Sequence, residues 1–434
     1  MEFFNPVIVS VIVLCILCAF KINVLLSIMI SAIVAGLLSN MPIKEIMDLF
    51  ISGMGQNAET ALSYILLGTL AATMTHTGLT EILSNKIGNF IKGNKYILLS
   101  ILTVIAILSQ NLIPVHIAFI PILIPPLLKI MNEMRLDRRA VACALSFGLK
   151  APYIALPLGF GLIFQGLIAD NMTQNGIYIK NTDIWHYSWI LGLFMFIALL
   201  VAVFVSYKKE RNYEQKQVLN LVVKKRLRLK KRHYVVIIGA ITTLLIQIIS
   251  GSLPLGALVG LIIIFGFRAI SYKKMDFLIN EGVGLMGYIA FVMLVCAGYA
   301  LVLKETGSID TLVNSILPLV ENSKLLASVA MLTIGLFVTI GIGSSFGTIP
   351  ILAVLFIPLC TKLGFSTPSV VILLCAAAAL GDAGSPASDT TLGPTSGLNA
   401  DGQHNHIKDT CIPTFLHYNT ALIIGALIAV WFFN

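Results

Sequence analysis

Residues 381–394 read GDAGSPASDTTLGP. They follow an apolar run, Val370–Leu380 (VVILLCAAAAL), that should lie inside a bilayer. Yet the stretch holds two aspartates, two serines, two threonines, three glycines and two prolines. Glycine and proline break helices. Broken backbone in hydrocarbon is tolerated only where protein buries it or where it lines a wet cavity. A carboxylate at that depth is costly and marks a functional site. The stretch therefore reads as half of a solute-binding site.

The composition agrees. Of 434 residues, 57% are hydrophobic and 11% charged, and the mean hydropathy is +0.93. A soluble chain would carry about 25% charge. An all-α polytopic membrane protein is expected, with the lipid bilayer as its surroundings. The net charge of +9 could suggest nucleic acid, but most of it sits in one central loop, Tyr207–His233. A cytoplasmic positive-inside loop explains that better, and no nucleic-acid partner is expected. The cysteines lie mostly in apolar runs, and Cys15-x-x-Cys18 has purely hydrocarbon flanks, so a structural role is expected. Residues 6–20 lack a basic start and a small-residue cleavage site and read as a retained helix.

Ten runs are expected to span, five in each half. They are about 5–20, 22–40, 60–77, 139–164 and 187–206, then 234–250, 252–269, 286–303, 366–392 and 414–433. Segments 96–130 and 324–362 differ, because each has two apolar arms around a polar or Gly-rich centre, SQNLIPVH (109–116) and GIGSSFG (341–347). Fifteen residues of helix reach about 22 Å, short of a core of about 30 Å. Each pair of arms reads as a re-entrant hairpin.

The halves repeat at a fixed offset of 229 residues. It aligns Pro121-Ile-Leu with Pro350-Ile-Leu, Gly53-Met-Gly55 with Gly282-Val-Gly284, and Pro157 with Pro386. The expected organisation is a first transmembrane repeat at 1–206, a basic cytoplasmic linker at 207–233 and a second repeat at 234–434. Five spans per copy make the second copy inverted in the membrane, a common plan for secondary transporters. The basic clusters then place both termini outside.

Two hairpin tips and two broken helices should meet near the midplane. The first helix is expected to break across Lys150–Gly159 and the second across Gly381–Pro394. Asp382, Ser385 and Asp389 correspond to Tyr153, Leu156 and Phe160 in the first copy, so the negative charge comes only from the second. Lys150 lies about 16 Å into its span, where an ammonium needs a counter-ion. Asp382 or Asp389 is the natural candidate, and either could hold Na⁺. Gln110, Asn111 and His116 are the polar residues of the first tip, and neutral histidine can donate, accept or titrate. Ser344, Ser345, Thr348 and Thr390 offer neutral oxygens, and Gly-rich nests can hold a carboxylate. No enzyme chemistry is expected: Gly343-Ser-Ser-Phe-Gly347 fits G-x-S-x-G without the strand–turn–helix context. Asp401, His404, His406 and Asp409 form a loop with no constrained metal geometry. No cofactor is expected beyond transported or coupling Na⁺ and H⁺.

SQNLIPVHIAFIPILIPPLL (109–128) and GDAGSPASDTTLGPTSGLNADGQHNHIKDTCIPTFLHYN (381–419) resemble the NhaC-type sodium/proton antiporter family of the ion transporter superfamily. The chain is most similar to the bacterial branch labelled as amino-acid, including histidine, permeases. The resemblance implies two inverted repeats, each with a hairpin and a broken helix, a homodimer and elevator-like alternating access. It implies that Gln110–His116, Ser344–Thr348 and Asp382–Thr390 supply the site. The expected function is a secondary transporter of the bacterial inner membrane, either a Na⁺/H⁺ antiporter or an H⁺- or Na⁺-coupled amino-acid permease.

Overall fold

A computed structural model describes residues 5–20, 22–79, 82, 94–111, 116–214, 229–320, 323–342, 344–386 and 388–434. The described residues form helices and connecting turns, with no strand among them. The first half contains α1 (Pro6–Ala19), α2 (Val24–Leu38), α3 (Ile43–Met54), α4 (Ala58–Thr77), α5 (Lys95–Asn111), α6 (His116–Glu133), α7 (Arg138–Ala155), α8 (Phe160–Gln174) and α9 (Asn181–Ser206). The second contains α10 (Lys231–Ser250), α11 (Leu253–Gly266), α12 (Met275–Glu305), α13 (Ser308–Val320), α14 (Lys324–Ile342), α15 (Ser345–Lys362), α16 (Thr367–Ala379), α17 (Asp389–Leu398) and α18 (His406–Phe433).

Five helices are long and apolar enough to cross a bilayer, or seven if each bent pair counts as one span, among the described residues. Of the expected hairpin arms, α5 and α14 are shorter apolar helices, whereas α15 is one of the five, longer than the arm expected from the sequence. Polarity is inverted relative to a soluble protein. Ile241, Leu245, Ile248, Trp431 and Phe432 are exposed, whereas Lys150, Ser345, Asp382 and Ser388 are buried.

Two elements depart from the sequence reading. α3 falls in a stretch expected to be a connection. It is amphipathic: Ile46, Phe50 and Gly53 are buried on one face while Lys44, Glu45 and Asp48 stay exposed. In the second half the corresponding stretch is continuous with the expected 286–303 span, giving the 31-residue α12. Asp276 and Glu281 lower the hydropathy there without breaking the helix.

Element bounds recur at the sequence offset. α5 and α14 begin at 95 and 324, α6 and α15 at 116 and 345, and α7 and α16 at 138 and 367. Gly78 and Gly307, also 229 apart, both take positive φ, +78° and +66°. The halves interlock. α15 packs on α8, and α17 packs on α6 and α7. Gly397 allows the contact of α17 with α6, since a Cβ there would sit 2.7 Å from Ile124 Cβ.

A buried ion pair at a broken helix

α16 ends at Ala379 and α17 starts at Asp389. Between them Leu380 is extended, Gly381 has φ +80°, and Asp382–Gly384 make one 3₁₀ turn. Ser385 is extended because Pro386 follows it. In the first half the chain leaves α7 at Leu156, which precedes Pro157, and re-enters as α8 with a bend of 47°. Lys150 is therefore not in the break, as the sequence suggested. It sits on intact helix, and Pro152 is accommodated inside α7. The constraint that Pro157 places on Leu156 moves the break downstream.

This geometry aims Lys150 at the second break. Its Nζ lies 2.7 Å from Asp382 Oδ2, and both side chains are essentially excluded from solvent. Ser345 Oγ donates to the same oxygen at 2.7 Å, and the Tyr153 hydroxyl approaches it at 3.4 Å. Tyr153 also donates to Ser345 Oγ at 3.0 Å. The Ser388 hydroxyl donates to Asp382 Oδ1 and lies 2.8 Å from Thr390 Oγ1. Thr390 Oγ1 in turn donates to the Asp382 carbonyl at 3.3 Å. One carboxylate thus collects an ammonium and three hydroxyls from α7, α15 and the second break. Ser345 is the first residue of α15, whose N-terminal end adds partial positive charge.

The remaining candidates fall around this centre. Ser344 caps α15, accepting from Gly347 N. Thr348 donates to the Ser345 carbonyl at 2.9 Å and reaches Ala378 O at 3.5 Å, tying α15 to α16. Ser385 donates to Ile340 O at 3.4 Å. Gln110 is buried near the end of α5, and its Oε1 has no partner among the described residues. Asn111 ends α5 and His116 begins α6, but their side chains and residues 112–115 lie outside the described residues. Asp389 opens α17, and its side chain too lies outside them.

Two participants were missed. Tyr153 was weighed only as the counterpart of Asp382, although it lies one helical turn beyond Lys150, on the same face. Ser388 stood in the quoted stretch without being singled out. Asn419 also contributes, its Oδ1 accepting from Gly381 N at 3.1 Å.

The linker-side end of α7 holds a second buried pair. Arg138 is fully buried and grips Asp401 through two nitrogens at 2.5 and 2.7 Å. It also donates to Leu398 O at 2.8 Å. Burial pushes the Asp401 carboxyl up, but the hydrogen bond and charge of Arg138 outweigh this and hold it below the usual carboxylate range. Burial lowers His404, in the same loop, to about 4, so it stays neutral near pH 7. Among the described residues no three His, Cys, Asp or Glu side chains converge to hold a metal.

Residues 144–431 match the Na⁺/H⁺ antiporter family, and residues 5–91 match a second family pattern described as the Na⁺-H⁺ antiporter family. The chain is 44% identical over 437 residues to an uncharacterized membrane protein of Vibrio parahaemolyticus, covering 98% of this chain and 99% of that one. It is 43% identical over 441 residues to a Bacillus subtilis protein named "Putative amino acid transporter YuiF", covering 98% and 99%. Two solved transporters share its fold. YdaH of Alcanivorax borkumensis has a TM-score of 0.61 at 11% identity, over 90% of this chain and 88% of that one. MtrF of Neisseria gonorrhoeae has a TM-score of 0.57 at 14% identity, over 89% and 83%. An all-helical membrane architecture, a charged pair buried at a broken helix and these matches lead to one assignment: the chain belongs to the Na⁺/H⁺ antiporter family.

Proposed function

We propose that this secondary transporter works in the bacterial inner membrane and exchanges Na⁺ for H⁺ at Asp382, with Lys150 as the resident counter-charge. The observation that carries the reading is the 2.7 Å Lys150–Asp382 pair, closed off from solvent and ringed by hydroxyls. A carboxylate in the interior holds a positive partner to offset its desolvation. Na⁺ competes with the ammonium for that place, and Ser345, Ser388 and Thr390 supply neutral oxygens. An ammonium left without its counter-charge sheds its proton rather than remain charged in a low dielectric. The proton lost from Lys150 Nζ is thus exchanged for the Na⁺ gained by Asp382. The repeated element order supports an inverted pair of repeats, 1–206 and 234–434, joined by a cytoplasmic linker. In a homodimer each chain would carry its own site, moved across the bilayer by alternating access.

A second reading has its own support, the amino-acid transporter name of the Bacillus subtilis relative. There Asp382 would hold a substrate ammonium and the N-terminal end of α15 its carboxylate. One assay separates the two. Proteoliposomes loaded with Na⁺ and diluted into Na⁺-free medium should acidify inside as Na⁺ leaves and H⁺ enters. Gradient-driven accumulation of labelled histidine, with no Na⁺-driven pH change, would favour the permease.

A further inference from the structure

A cavity of about 270 Å³ opens between α4, α8, α12 and α15. It has room for about nine waters at ~30 Å³ each. It lies at the end of the molecule away from the linker, because the opposite ends of α4 and α10 meet through His233 and the Thr77 carbonyl, 2.9 Å apart. Its inner end meets three aromatic rings. Thr60 of α4, Ile163 of α8 and Pro350 of α15 line the cavity. Tyr64, Phe160 and Phe346 each stand one helical turn from one of these, on the same face. All three turns lead inward. α4 runs from the cavity towards Thr77, α8 starts at the first break, and α15 starts at Ser345, which touches Asp382.

The rings close on one another. The centroids of Tyr64 and Phe160 are 5.2 Å apart, those of Phe160 and Phe346 5.7 Å, and those of Tyr64 and Phe346 6.1 Å. All three side chains are buried. Behind them the Phe346 ring lies 5.1 Å from that of Tyr153, whose hydroxyl donates to Ser345 and approaches Asp382. One layer of rings thus separates the cavity from the ion pair. A constriction lined by apolar rings excludes water, and a hydrated cation with it. The Phe160 and Phe346 rings have no polar atom, so a side-chain rotation parts them without breaking a hydrogen bond of theirs.

The linker side of the site is sealed differently. There the segment Tyr207–Glu214 is fastened across the end of α7. Arg211 pairs with Asp409 at 2.7 Å, the Tyr213 hydroxyl accepts from Arg138 N at 3.0 Å, and Glu214 N donates to Gln403 Oε1 at 2.8 Å. Beneath it Arg138 holds Asp401. Opening that side parts several charged contacts at once, so the ring layer is the thinner barrier.

We infer that the cavity is the entry route of the transported cation from the end away from the linker, and that Tyr64, Phe160 and Phe346 are its gate. The inference rests on the Lys150–Asp382 pair as the exchange site and names the path to it. The test uses the full chain in nanodiscs with Ser345→Cys as a reporter behind the rings. The probe is trimethylammonioethyl methanethiosulfonate, a thiol reagent that is itself a cation, and modification of position 345 is followed by peptide mass spectrometry. With the rings intact the reaction should be slow. Phe160→Ala and Tyr64→Ala each remove two ring contacts of the gate and should speed it roughly tenfold. Phe160→Tyr, which keeps the ring, should not. Phe356→Ala, which removes a buried ring of α15 outside the gate, should not either, and controls for general loosening. Thr60→Trp, which puts an indole into the cavity, should cancel the gain. No gain in either gate variant, an equal gain in Phe356→Ala, or a gain that survives Thr60→Trp would each overturn the inference. Proton release on Na⁺ addition, measured with Ser345 in place, reports separately on the exchange site. Its absence beside the expected accessibilities would sink the exchange reading and leave the gate, whereas its presence without them would sink the gate alone.

Discussion

Lys150→Met should destabilise the protein by about 3–5 kcal/mol, the usual cost of leaving one member of a buried ion pair without the other. Asp382 would keep Ser345, Tyr153 and Ser388 as donors but lose its only short contact with a cation among the described residues. The Lys150→Met/Asp382→Asn double variant should recover most of the loss, because a neutral amide and a thioether suit the same interior without a charge. Neither variant should transport. Unfolding of the detergent-solubilised protein, followed as a thermal or denaturant transition, measures both. Independent, additive losses in the double variant would mean that the two groups do not stabilise each other.

Asp382→Asn alone leaves Lys150 without its counter-charge and should lose stability as Lys150→Met does, yet the protein that folds and inserts should show cation-coupled transport reduced to background. Asparagine keeps the size of the side chain and can accept from Ser345 and Ser388. It cannot carry the negative charge that holds either Lys150 or Na⁺. The expected result is a loss of rate per molecule, read as proteoliposome transport normalised to reconstituted protein. Wild-type rates in Asp382→Asn would reduce Asp382 to a cap of the broken helix and shift attention to the first hairpin.

Much of this site was legible because the bilayer makes charge expensive. Lys150 and Asp382 stand 232 residues apart, yet each is a charge deep in an apolar run, and each requires the other. The hairpin reading rested on arms of about 15 residues, but α6 and α15 run 18 residues each, and α15 is long and apolar enough to cross a bilayer. The prolines marked the breaks only approximately. Pro152 was read as a breaker but rides inside α7, whereas Pro157 acts through Leu156. Tyr153 and Ser388 were harder to see, because hydroxyls are common in membrane helices and nothing in their spacing tells which ones face a carboxylate. Arg138 was not singled out for a related reason. A basic residue at the end of a span is usually a topology signal, and its burial depends on Asp401, which is 263 positions away and folds back over it. The amphipathic α3 was obscured by its charges.

The most direct measurement needs no transport. Purified protein is held in weakly buffered solution with a pH indicator, and Na⁺ is added against an equal addition of choline. If Na⁺ takes the place of the Lys150 ammonium at Asp382, the wild type releases protons in proportion to Na⁺ bound, saturating with it, and Asp382→Asn releases none. A wild type that binds Na⁺ without releasing protons, or an Asp382→Asn variant that releases them equally, would contradict exchange at this pair.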